Sequence, residues 1–113
     1  MTTAMMSIER ANRVIVWGSV LSLALAVPAM VFSLRASRAP DATDITAVFV
    51  AAALILAYLI LVAGIIVVGV HTHTNLALRR ADATLDTPRN RWHYQGGIAF
   101  CLCGLSFILL PVL

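Results

Sequence analysis

The chain has 113 residues, of which 61% are hydrophobic and 12% are charged, and its formal net charge is +3. Soluble proteins contain about 25% charged residues, so this composition excludes a water-covered globule and indicates an integral membrane protein. The weak positive charge, with no soluble domain to carry a basic patch, argues against nucleic-acid binding. The two cysteines lie within one apolar run and do not make a disulfide framework.

The first charge-free stretch, residues 14–32, is predicted to be a membrane-spanning helix. It has 19 residues, close to the roughly 20 that cross the hydrocarbon of a bilayer. Arg10 and Arg13 precede it, as basic residues precede the core of a signal peptide. The run is longer than such a core, so we expect a retained span.

The second stretch, residues 45–70, has 26 residues without a charge and is also predicted to span the membrane. Asp44 is placed to cap its N-terminus, because its carboxylate can accept the unpaired amides of the first turn. No helix-breaking sequence follows directly after residue 70. We therefore expect the helix to continue to about Arg80 and a turn to occupy residues 81–87.

The third helix is expected to begin near Pro88. Thr87 followed by Pro88 is typical of an N-cap and a first helical residue. The charge-free run that follows, residues 96–113, has 18 residues, which is slightly short for a span. An interfacial first turn from Trp92 to Gln95 extends the third span to residues 92–113.

Small residues recur at helical spacing in all three stretches, which lets helix backbones approach closely in lipid. The hydroxyl of Tyr58 lies near the middle of the second stretch and would be costly without a partner, so we expect it to bond Ser22 or Ser106. The predicted packing residues are Gly18, Ser22 and Ala26, then Ala53, Ala57, Tyr58 and Gly64, then Gly97, Cys101 and Gly104.

The distribution of arginine predicts the orientation. Six arginines lie on the side of the N-terminus and of the segment between the second and third spans, and two lie on the other side, so the first side is cytoplasmic. The sequence therefore predicts an all-α integral membrane protein, one membrane domain of residues 1–113, with three transmembrane helices. A cytoplasmic helical hairpin joins helices 2 and 3. Because all eight basic residues are arginine, we expect a GC-rich bacterial genome and the bacterial inner membrane.

All three histidines lie in or beside the predicted hairpin. His71 and His73 are two residues apart, so a helix points them to nearly opposite faces. His73 and His93 are expected at similar heights on antiparallel neighbours, where two imidazoles could clamp a haem b iron or help to bind a metal, with His71 as a further candidate ligand. We favour a simpler interpretation, in which all three are interfacial residues and the protein has no cofactor. A pH-dependent docking surface is a further alternative.

Four arginines lie just cytoplasmic of the predicted spans and are candidates for contact with anionic lipid or with an acidic partner surface. On the simplest interpretation they only set the topology. Two aspartates in the same segment reduce its positive potential. The four candidates are Arg79, Arg80, Arg89 and Arg91.

The charge-free stretches contain no Asp, Glu, Lys, Arg or His, although such residues mark the pathways of ion pumps and carriers. The sequence shows no catalytic constellation, so we do not expect an enzyme. We expect a small accessory or assembly subunit of a larger bacterial membrane protein complex. It would act through helix packing and the Arg-rich hairpin, with lipid and other membrane subunits as partners. The alternatives are a small homo-oligomeric pore or transporter and a haem-carrying membrane anchor subunit.

Overall fold

The computed structural model describes residues 3–38 and 43–109, and over these residues the chain is helical with no strand. All three long helices are long and apolar enough to cross a membrane, which confirms the prediction of an all-helical chain with three candidate spans. The helices are α1 at Thr3–Ser37, α2 at Asp44–Ala81 and α3 at Pro88–Leu109, with a 3-10 turn at Ala83–Leu85 between α2 and α3.

Helix α1 begins about three turns before the first predicted span. Its first turns contain neither proline nor glycine, and the side chains of Ile8, Ala11, Asn12 and Ile15 are at most 3% exposed. Their spacing of i, i+3, i+4 and i+7 makes one buried stripe along the helix. Charge-free runs do not reveal this extension, because charged residues alternate with the stripe.

The N-terminus of α2 is capped one residue earlier than predicted. Thr43 is the N-cap, and its Oγ1 accepts a hydrogen bond from the backbone N–H of Thr46 at 3.3 Å. The expectation that Asp44 caps the helix is therefore wrong. Asp44 is the first helical residue, where a carboxylate is stabilised by the positive end of the helix dipole. At its other end the helix continues to Ala81, within one residue of the prediction.

The connection between α2 and α3 is a tight turn. Asp82 Oδ1 accepts hydrogen bonds from the N–H of Thr84 at 3.0 Å and from its hydroxyl at 2.6 Å. Helix α3 then begins at Pro88, and Thr87 Oγ1 accepts a hydrogen bond from the N–H of Asn90 at 3.3 Å. The predicted start of α3, with Thr87 as N-cap and Pro88 as first helical residue, is confirmed.

Both outer helices lie antiparallel to α2. The most extensive contact joins α1 and α2, and α3 contacts both. Contacting pairs run in opposite order along each pair of helices, which gives an up-down-up bundle. Between α1 and α2 the pairs are Asn12 with Asn75, Gly18 with Val68 and Ser22 with Gly64. Between α2 and α3 they are Asn75 with Asn90, Thr72 with Gly97 and Ile65 with Gly104.

The buried apolar interior is small and consists of two clusters along the bundle axis. One joins all three helices through Ile15, Val68 and Phe100. The other is built on two alanines and Leu61, and the alanines allow α1 and α2 to approach closely. Because only 17–22% of the most apolar window of each helix is buried, most of the apolar surface faces outward.

The outward surface of the described helices is apolar along the candidate spans. Ile45, Val48 and Leu59 are each more than 60% exposed, and many other large apolar side chains are exposed with them. A surface of this kind is unfavourable in water and favourable in hydrocarbon. Three candidate spans with such a surface indicate a membrane protein.

Candidate functional site

The polar end of the bundle holds a hydrogen-bonded group of three buried asparagines, one from each helix. We call residues 3–13 together with residues 71–95 the polar head. Asn12, Asn75 and Asn90 are 3%, 0% and 9% exposed. Asn12 Nδ2 donates to Asn90 Oδ1 at 2.9 Å, and Asn75 Nδ2 donates to Asn12 Oδ1 at 2.6 Å and to the Asn90 carbonyl at 3.2 Å. The group therefore cross-links all three helices.

Arg79 closes this network on the side of the turn. Its Nε donates to Asn75 Oδ1 at 2.8 Å, and its guanidinium lies 4.9 Å from the centre of the Tyr94 ring, a cation–π distance. Its side chain is 10% exposed. Asn90 Nδ2 donates to the carbonyl of Leu85 at 2.6 Å, so the same network also holds the 3-10 turn.

Asp86 forms ion pairs with two arginines of the polar head, Arg79 and Arg91. Its carboxylate accepts from Arg91 Nε at 2.7 Å and Nη2 at 3.0 Å, and from Arg79 Nη1 at 3.2 Å. The hydrogen bond from Arg91 lowers the pKa of Asp86, and the hydrogen bond from Arg79 adds to this, while desolvation opposes it. Hydrogen bonds from Thr84 lower the pKa of Asp82 in the same turn.

The structure separates the four candidate contact arginines into two kinds. Arg79 and Arg91 are ion-paired with Asp86, and Arg79 is nearly buried. Arg80 and Arg89 are exposed and form no ion pair within the described residues. Arg79 is therefore a structural residue of the polar head, and Arg80 and Arg89 are available to bind a partner or lipid.

The three histidines lie at the surface of the polar head and not in its core. The Nδ1 atoms of His71 and His93 lie 2.8 Å from the carbonyl oxygens of Val67 and Arg89 in their own helices, and His73 is exposed. Over residues 3–38 and 43–109 no group of three or more His, Cys, Asp or Glu side chains could hold a metal ion. A haem held by His73 and His93 stays a prediction.

Most of the predicted packing residues lie where helices approach most closely. A Cβ on Gly64 would overlap Ser22 Oγ, and one on Gly97 would overlap Thr72 Oγ1. That close approach leaves the Thr72 hydroxyl buried with no hydrogen-bond partner in the described part of the chain. The remaining packing candidates are Gly18 against Val68, Gly104 against Ile65, Ala26 and Ala57 in one buried cluster, Cys101 against the other, and a half-buried Ala53.

Tyr58 lies in a different environment from the one expected. Within the described residues its hydroxyl bonds neither predicted serine. Ser106 Oγ donates to the Leu102 carbonyl of its own helix at 2.8 Å, and Ser22 lies against the position of Gly64. The half-buried ring instead lines an apolar cavity of about 410 Å³ with Val27, Met30, Val31, Leu34, Leu54 and Phe107.

The residues that organise the polar head have no role that was predicted from the sequence. They are Asn12, Asn75 and Asn90. A signal was present: the chain contains three asparagines, each beside a charge-free stretch, and asparagine has a low helix propensity.

Comparison with protein-family models, with curated proteins and with solved structures gives no match to this chain.

Proposed function

We propose that this chain is a small accessory or assembly subunit of a larger bacterial membrane protein complex. It would lie in the inner membrane with its N-terminus and the α2–α3 turn in the cytoplasm, as the positive-inside rule favours. It would act by contact, through its helix faces and its polar head.

The observation that carries this proposal is the buried asparagine network of the polar head. It joins α1, α2 and α3 outside the charge-free stretches through Asn12, Asn75 and Asn90. These hydrogen bonds hold the three helices of the polar head in one arrangement. Surfaces on rigid elements make better-defined contacts than surfaces on loops. A rigid polar head that carries exposed arginines suits docking against the acidic surface of another subunit.

Arg80 is the best residue for testing such a contact. It is exposed on α2 and forms no ion pair within the described residues. Reversing the charge of its side chain therefore leaves the asparagine network intact. Arg35 is a matched control, because it is exposed at the opposite end of the bundle, in the last turn of α1.

The test is native mass spectrometry of tagged protein that is gently extracted from its own membrane. We expect one or more foreign membrane subunits in the assembly. Arg80→Glu should release them, whereas Arg35→Glu should not. A mass at an integer multiple of this chain alone would contradict the proposal and favour a homo-oligomeric pore or transporter. A residual mass equal to haem b would support the membrane anchor alternative.

A further inference from the structure

A basic cleft lies between α1 and α3 on the polar head. Its volume is about 360 Å³, and its wall includes Arg13 and Trp17 from α1 and Arg89 and His93 from α3. One carboxylate, Glu9, also lines it. Because α1 and α3 share the smallest of the three helix contacts, an opening between them is expected here.

An apolar groove continues from this cleft between the same two helices. It has a volume of about 310 Å³ and includes Ser19 and Val20 from α1 and Trp92 and Gly96 from α3. Val16 and His93 line both the cleft and the groove, so the two openings adjoin.

The cleft lies at the boundary between the charged and the charge-free parts of both helices. Arg13 is the last charged residue of α1 before residues 14–32. His93 lies three residues before the charge-free residues 96–109 of α3. The groove lies on the charge-free side of this boundary. Phospholipid phosphates lie at such a level in a bilayer, with the acyl chains below them.

The charges of the cleft favour an anion. Arg13 and Arg89 are exposed and form no ion pair within the described residues, and Glu9 is paired with neither of them. Guanidinium groups bind phosphate oxygens through paired hydrogen bonds.

We propose that the cleft and the groove together bind one anionic phospholipid molecule. Its phosphate lies between Arg13 and Arg89, and one acyl chain follows the groove past Val20 and Gly96. This site requires only that the three helices lie in a bilayer. It does not depend on the proposed subunit role.

The two tryptophans of the chain report on this site directly. Trp17 lines the cleft and Trp92 lines the groove, and the chain has no other tryptophan. The full chain is reconstituted in phosphatidylcholine vesicles that contain increasing fractions of phosphatidylglycerol with brominated acyl chains, and tryptophan quenching is measured. We expect saturable quenching that exceeds the quenching by brominated phosphatidylcholine at equal fraction.

Three variants distinguish specific binding in the cleft from non-specific electrostatic attraction to a charged membrane. Arg13→Gln with Arg89→Gln should weaken the apparent affinity for brominated phosphatidylglycerol by roughly thirtyfold. Arg10→Gln also removes an exposed charge from the polar head, but outside the cleft and the groove, and should leave the affinity unchanged. Glu9→Gln should strengthen binding by roughly threefold, because it removes the carboxylate of the cleft.

Four results would overturn the proposal. Equal quenching by brominated phosphatidylglycerol and brominated phosphatidylcholine in the parent protein would show that the site does not prefer the anionic lipid. An equal loss per arginine removed, inside and outside the cleft, would show diffuse attraction. No gain in Glu9→Gln would show that the anion does not bind beside this carboxylate, and this result can be read even where the double variant fails to fold. Competition by inorganic phosphate at concentrations matching the lipid would assign the cleft to free phosphate and not to a lipid headgroup.

Discussion

At the scale of single residues, the three asparagines explain why the polar head has one defined arrangement. A buried amide without partners costs about 1–3 kcal/mol, so a packing that separates Asn12, Asn75 and Asn90 is penalised. The observed packing satisfies each of their side-chain oxygens. An apolar interior would not discriminate between helix registers in this way.

We expect Asn75→Ala to be the most damaging single change in the network. It leaves Asn12 Oδ1 and the Arg79 Nε without their bonds and opens a cavity between three helices, so the free energy of unfolding should fall by about 3 kcal/mol. Thr74→Ala is the matched control, because the Thr74 hydroxyl bonds only the Val70 carbonyl of its own helix. Unfolding by SDS in mixed micelles measures both. Equal losses in the two variants would contradict the role of the network.

These residues also show how far the sequence could predict the site. The partners Asn12 and Asn90 are 78 positions apart, and no local pattern states that two residues so distant meet. The histidines were more conspicuous because imidazole has a distinctive chemistry. Two of them bond their own helices, whereas the amides carry the contacts between helices.

At the scale of elements, local chemistry predicted the helix boundaries well and the length of α1 poorly. The N-cap at Thr87 and the end of α2 near Ala81 follow from residues next to each other in the chain. The extension of α1 to Thr3 depends instead on burial of Ile8 and Ala11 against the other helices. That burial is a tertiary effect, and it outweighs the low hydropathy of the segment.

The turn between α2 and α3 should lose stability in acid. Asp86 has a lowered pKa because Arg91 and Arg79 bond its ionised form. Its contribution is therefore complete above the pKa of an unfolded aspartate, about 3.9, and is lost as the pH falls through the lower folded value. Asp86→Asn should flatten the dependence of the unfolding midpoint on pH between about pH 5 and pH 2.

The control for this pH dependence is Arg35→Gln at the opposite end of the bundle, because Arg35 is exposed, forms no ion pair within the described residues and does not titrate in acid. The parent protein and Arg35→Gln should show parallel acid profiles, measured by circular dichroism in a detergent with a charge that does not change with pH. A profile of Asp86→Asn as steep as that of the parent would show that the ion pairs do not stabilise the turn.

At the scale of the whole molecule, the bundle is longer than a bilayer is thick. It extends over 60 Å, whereas the hydrocarbon region is about 30 Å thick. The charge-free stretches are long enough to fill that thickness, and the polar head adjoins them at one end only. This asymmetry gives the bundle one polar end with a defined structure, which is the end that we propose to be cytoplasmic.

The orientation can be measured with one cysteine at each end of the bundle. Cys101 and Cys103 are first replaced by serine, and then Thr84→Cys labels the exposed turn of the polar head while Ser37→Cys labels the exposed end of α1. In inside-out membrane vesicles a membrane-impermeant maleimide should react with Thr84→Cys and not with Ser37→Cys, and in intact spheroplasts the pattern should be reversed. Six arginines on the side of the polar head against two on the other favour this result. The opposite pattern would place the polar head outside, where cytoplasmic subunits could not reach it. Labelling of both sites from one side would mean that the helices do not cross the membrane three times.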